Sequence, residues 1–224
     1  MAEWLTLFDP AMQIVDQAGR IIGPFDWTIG GGTMLYRKYR HRHSRDIDIF
    51  VADAQALPAL SPRLNEVAAA YAERLSGSYV EQSNFVKLLL PDGEIDFIVA
   101  PHLTAPFANP EAIGGRIVLV ETPVEILAKK IFYRAADFTA RDLFDLAFLI
   151  ENREADALMA DPPMFMPKLE IVLERVETAR DGLQGAFASL ATADYSPSFE
   201  HCIAVVRDFV ARNRRAFDAS APRA

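Results

Sequence analysis

The sequence predicts an α+β fold: a mixed or antiparallel sheet flanked by helices over residues 1–120, followed by a helical C-terminal region over residues 121–224. Three observations carry this reading. Residues 46–51 and 94–100 alternate acids with branched or aromatic residues at period 2, the pattern of a half-buried strand. Pro91-Asp92-Gly93 sits between two apolar runs as a turn with a mechanism, so those runs pair antiparallel. From Thr122 onward apolar residues recur at helical spacing, and the strand patterns cease.

Taken in order, the chain opens with a helix over about 8–18 and a short strand near 26–29, Trp27-Thr28-Ile29 forming its apolar run. Gly30-Gly31-Gly32 is a turn that enters a helix through Thr33-Met34-Leu35, ending near residue 40. Backbone without Cβ atoms turns sharply, and helix N-terminal amides favour an anion, so this turn suits a phosphate. It lacks the Gly-Lys-Ser/Thr ending of a Walker loop and the Gly-x-Gly-x-x-Gly dinucleotide fingerprint. The strand 46–51 follows, then a helix in which Ser61 caps, Pro62 takes the first position and Leu64, Val67, Ala68 and Tyr71 form a buried stripe to about residue 75. Strands are expected over 79–90, 94–100 and 116–120. Thr122-Pro123-Val124-Glu125 is a capping box with proline at the first helical position. Farther on, Leu169, Val172, Leu173 and Val176 mark one amphipathic helix, and Ile203, Val206, Phe209 and Val210 another; both stripes read as core.

Composition bounds the function classes. A chain of 224 residues with 51% hydrophobic content buries a good core. Neither a secretory leader nor a run of 18 apolar residues is visible, so a cytoplasmic protein without membrane association is expected. The single Cys202 cannot form an internal disulfide and reads as a buried helix residue. A net charge of −8 argues against a surface broadly devoted to nucleic acid.

The strand 46–51 carries the chemistry. Asp46 and Asp48 lie on one face with Phe50, opposite Ile47, Ile49 and Val51, their Cα atoms about 6 to 7 Å apart. Like charges held side by side are costly unless a cation offsets them, which asks for a hard metal with oxygen ligands, Mg²⁺ first. Glu94-Ile95-Asp96-Phe97 repeats the pattern, with Glu94 and Asp96 sharing a face. Asp96 reads either as a third carboxylate of the site or as an exposed strand position. Lys87, on the preceding strand, reads as a phosphate ligand or an ordinary edge lysine. A basic run, Arg37, Lys38, Arg40, His41, Arg42, His43 and Arg45, with Tyr36 and Tyr39 interleaved, suits triphosphate or RNA binding or, equally, a solvated helix end.

Gly31-Gly32-Thr33 followed by Asp46-Ile47-Asp48 resembles the signature of the DNA polymerase beta nucleotidyltransferase superfamily. The fuller set, Gly31-Gly32-Thr33-Met34-Leu35, His43 to Phe50, Glu125 to Lys130 and Arg141 to Leu146, resembles the AbiEii/AbiGii toxin family across residues 29 to 150. The resemblance implies a nucleotidyltransferase-like core in which Asp46, Asp48 and Asp96 hold Mg²⁺. It places Gly31, Gly32, Thr33, Arg45 and Lys130 on the NTP phosphates and Lys130 and Asp142 among the catalytic set. It also implies NMP transfer from an NTP to an acceptor, RNA such as tRNA first, and a separate antitoxin protein. Transfer to a small aminoglycoside-like molecule or a protein hydroxyl, or nucleotide binding without turnover, are the alternatives. On residues alone Lys130 also reads as an exposed helix lysine. Asp142 also reads as an acid at a helix N-terminus beneath a Thr139 cap, and Asp145 as a surface i, i+4 partner of Arg141.

Overall fold

A computed structural model describes residues 3–74 and 78–220; the end of the helix expected to reach residue 75 lies outside them. The chain divides into two compact units. One comprises Met1–Lys38, Ser44–His102 and Pro106–Thr122; the other comprises Tyr39–His43, Leu103–Ala105 and Pro123–Ala224.

The first unit is an α+β layer. Its elements are α1 (Leu5–Ile22), β1 (Trp27–Gly30), α2 (Gly31–Tyr39), β2 (Ile47–Val51), α3 (Leu57–Leu60), α4 (Glu66–Arg74), β3 (Tyr79–Gln82), β4 (Phe85–Leu90), β5 (Gly93–Val99), β6 (Ala108–Ile113) and β7 (Arg116–Glu121). The seven strands form one mixed sheet in the order β3-β4-β5-β2-β1-β7-β6. β2 runs antiparallel to β1 and parallel to β5, and β1 runs parallel to β7. The period-2 pattern decides the faces. Ile29, Ile47, Ile49, Ile95 and Phe97 are fully buried together with Val86 and Leu88, and α1 covers this side with Leu7, Phe8, Met12 and Ile14. Asp48, Phe50, Asp96 and Ile98 point to the opposite, half-buried face.

Several expectations are corrected in this unit. No helix begins at Ser61: it terminates α3, the next helix α4 begins at Glu66, and Leu64 is 61% exposed rather than part of a buried stripe. The cap of α4 is Asn65, whose side-chain oxygen accepts from Ala68 N–H while its amide donates to the Ile14 and Ala59 carbonyls. A buried asparagine that satisfies three backbone groups fixes this corner. The run 79–90 is likewise two strands, β3 and β4, joined at Ser83-Asn84 and paired antiparallel. Because β3 covers β4, Lys87 does not lie on an edge strand. The strand β6 carried no readable signal, since Pro110 interrupts it on the sheet edge, the place where strand proline is tolerated.

The second unit is helical: α5 (Pro123–Arg134), α6 (Ala140–Glu151), α7 (Pro162–Thr178), α8 (Arg180–Ala188) and α9 (Phe199–Ser220). Leu143, Phe144, Leu146 and Leu149 of α6 are fully buried, as are Leu169 and Val172 of α7 and Val206 and Phe209 of α9. The segment 40–43 pairs with 191–194 in backbone hydrogen bonds from Ala193 to His41 and from Asp194 to Arg40. Cys202 is a free, fully buried thiol in α9, pushed up to about 12 by burial and then by Glu151. No helix among the described residues is long and apolar enough to cross a membrane.

Candidate active site

In the first unit the carboxylates meet where β1, β2 and β5 lie side by side. Asp48 pairs in register with Asp96 on one flank and with Gly30 on the other. Neighbouring strands are about 4.8 Å apart, so the two acids stand next to each other on one face. Asp46 lies one residue before β2, and its Oδ1 accepts from the Glu94 N–H at 3.1 Å. The acid-apolar alternation thus brings Asp46, Asp48 and Asp96 to one end of two adjacent strands.

The glycine turn shapes the same place. Gly31 has φ of +73°, and a methyl group there would overlap the Asp48 carboxylate; one at Gly30 would overlap Glu121 and Phe50. Both positions require glycine for space, and Gly31 also for backbone conformation. Gly31, Gly32 and Thr33 form the buried first turn of α2, so the helix starts earlier than expected, and Thr33 Oγ1 lies 3.1 Å from Ser44 Oγ.

Asp96 is electrostatically tense. Burial and then the charge on Asp48 push it up to about 7, against the pull of Lys87. Its Oδ2 lies 3.2 Å from Lys87 Nζ, whereas its Oδ1 is buried with no hydrogen-bond partner among the described residues. A buried oxygen left bare beside a second carboxylate, with oxygen donors throughout, fits a hard divalent cation such as Mg²⁺.

Glu121 was missed. It is 3% exposed at the end of β7, accepts from Thr28 Oγ1 at 2.8 Å, and crowds Gly30. It lies one residue beyond the strand expected over 116–120, where the apolar run had ended.

The second unit gathers the other charged candidates. Asp142 and Thr139 form a capping box at the start of α6, and Asp142 Oδ1 accepts from Lys130 Nζ at 2.6 Å. Lys130 is therefore not an exposed helix lysine, and Asp142 caps the helix while it binds a cation. Burial would raise Asp142, but Lys130 and Arg134 hold it below the usual carboxylate range. Asp145 is fully buried, not a surface partner. It accepts from Arg42 Nε at 2.6 Å and Nη2 at 2.7 Å, lies 2.8 Å from His41 Nε2, and has Lys130 Nζ at 3.2 Å. Burial opposes its charge, yet Arg42 and Lys130 hold it well below the ordinary range.

Part of the basic run is committed to pairs: Arg37 to Glu111, and buried His41 and Arg42 to Asp145, whereas Arg40, just past the end of α2, is exposed and meets the exposed Asp194. Arg45 is exposed next to Asp46.

The glycine turn and the paired strand acids lie on one mixed sheet, in a chain that its family match shows to be a nucleotidyltransferase. Its family follows from residues 25–219, which match the family described as nucleotidyl transferase AbiEii toxin of type IV toxin–antitoxin systems. The chain belongs to that family. No individual curated protein matches it. Among solved structures it is similar to MenT4, a nucleotidyltransferase toxin of Mycobacterium tuberculosis H37Rv (17% identity over 96% of this chain and 88% of that one, TM-score 0.45). It is similar also to JHP933 of Helicobacter pylori (14% identity, 93% and 95% covered, TM-score 0.40). A third is ANT(2")-Ia in complex with adenylyl-2"-tobramycin (17% identity, 82% and 98% covered, TM-score 0.44).

Proposed function

We propose that this nucleotidyltransferase moves an NMP from an NTP to an RNA acceptor, tRNA first, as the toxin of a toxin–antitoxin or phage-defence pair whose partner is a separate antitoxin protein. The observation that most supports metal-dependent transfer is the bare, buried Asp96 Oδ1, on the strand position paired with Asp48; the acceptor and the toxin role are carried by the family alone. Asp46, Asp48 and Asp96 would hold Mg²⁺, which would supply positive charge to offset that of the phosphates.

The chain's own residues supply the rest. The α2 amides at Gly32 and Thr33 orient the triphosphate, with Arg45 alongside, so that the α-phosphorus presents one face to the acceptor oxygen. That oxygen attacks in line, the bond to the bridging oxygen breaks, and pyrophosphate leaves. The family likeness gives Lys130, held by Asp142 and Asp145 within the helical unit, the role of offsetting charge on the leaving group. Asp142 positions that ammonium.

A second reading has one observation in its favour. A net charge of −8, with Arg37 paired to Glu111 and Arg42 buried against Asp145, suits a cationic small acceptor of the aminoglycoside kind. Purified protein incubated with Mg²⁺ and each α-labelled NTP in turn, with total cellular RNA or with an aminoglycoside panel, separates the two. Label in discrete RNA bands supports the RNA acceptor and names the base; label only on an aminoglycoside overturns it.

A further inference from the structure

Lys87 belongs to no block of the family likeness, yet it is built into the carboxylate face. It stands on β4 directly across from Asp96, and its ammonium binds both Glu94 and Asp96 Oδ2. Glu94 in turn gives its backbone N–H to Asp46 Oδ1. One lysine therefore ties down the third carboxylate and the residue that anchors the first. Lysine side chains lose considerable rotamer freedom when fixed, so such a pairing inside the sheet is costly to keep for surface charge alone.

The geometry points to Lys87 as a positioning residue for metal binding: by holding Asp96 Oδ2 it fixes the carboxylate with Oδ1 left without a partner among the described residues, a preset oxygen for the cation. This rests on the proposed reading that Asp46, Asp48 and Asp96 bind Mg²⁺. The logic is that of outer partners in metal sites generally, which fix the orientation of a ligand and whose loss typically costs about 10–100-fold in metal affinity. A methionine at this position keeps the stem but releases Asp96 to rotate, and leaves Glu94 without its cation.

Isothermal titration of Mg²⁺ into metal-free protein, with no nucleotide, tests the role by a readout other than activity. Lys87→Met weakens Mg²⁺ binding by about 10–100-fold, and Lys87→Arg, which retains a cation for both acids, recovers most of the affinity. In an Asp96→Asn background Lys87→Met costs much less than in the wild type, because most of its effect passes through Asp96. Should the Met variant not fold by circular dichroism, Lys87→Gln is titrated in its place. Unchanged or tighter binding in the lysine variant overturns the inference while leaving the metal-site reading intact. Absence of Mg²⁺ binding by the wild type, or full binding by Asp48→Asn, overturns that reading itself.

Discussion

Gly31 is constrained twice, by a φ of +73° and by the Asp48 carboxylate occupying the place of a side chain. Gly31→Ala therefore lowers stability by about 1–3 kcal/mol through backbone strain alone, and it displaces Asp48. The expected outcome is a lower unfolding temperature together with loss of Mg²⁺-induced stabilisation; a variant that gains stability from Mg²⁺ as the wild type does counts against the assignment. Asp96 gives a pH signature. Its folded pKa, about 7, stands above the ordinary carboxylate value because of burial and Asp48. In the metal-free protein the stability held by its protonated form is complete below the ordinary range and is lost as pH rises through about 7. A cation requires the ionised form, so Mg²⁺ binding strengthens over that same rise and levels off above it. Titrations on either side of pH 7 check this, with proton release on the acid side; affinity indifferent to pH speaks against it. These three acids were legible because period-2 alternation settles which side chains share a face. Glu121 was not, since its burial arises from β7 lying beside β1, a pairing between distant segments.

At the scale of elements, α6 shows how a polar pattern hides its meaning. Asp142 and Asp145 sit three residues apart, and spacing alone left Asp145 as a surface partner of Arg141 and Asp142 at a helix N-terminus. The structure buries Asp145 because Arg42 arrives from the segment 39–43, more than a hundred residues away in sequence, and clasps it with two hydrogen bonds. Arg42→Met leaves that carboxylate short of its main cation, and breaking a buried pair in this way costs about 3–5 kcal/mol. The loss should appear as a large fall in denaturant midpoint without a change in slope. The pH dependence has the opposite sign to that of Asp96: Asp145 is held well below the ordinary range, so its contribution is present above that range and lost as pH falls through its depressed folded value. Acid unfolding of Arg42→Met should therefore begin at higher pH than in the wild type; coincident acid transitions would contradict the pairing. Strand and helix starts at 27, 47 and 123 were readable from apolar runs and capping chemistry. The breaks at Ser61 and at Ser83-Asn84 were not, because Asn65 and the β3–β4 pairing depend on contacts that single-sequence periodicity does not contain.

At the scale of the whole molecule, the net charge of −8 makes a broad electrostatic RNA surface a poor description. Recognition would depend instead on a few contacts near the carboxylates, and fold class alone selects no acceptor. The reaction class is a sharper matter than the acceptor. It is tested most directly by supplying NTP labelled at the α- or the γ-phosphorus, with Mg²⁺ and total cellular RNA, to the wild type and to Asp48→Asn. Transfer of α-label alone by the wild type, with release of pyrophosphate and a loss of more than about 100-fold in the variant, is the expected result. Transfer of γ-label, or α-transfer undiminished by Asp48→Asn, would mean that the paired strand acids do not carry a nucleotidyl transfer.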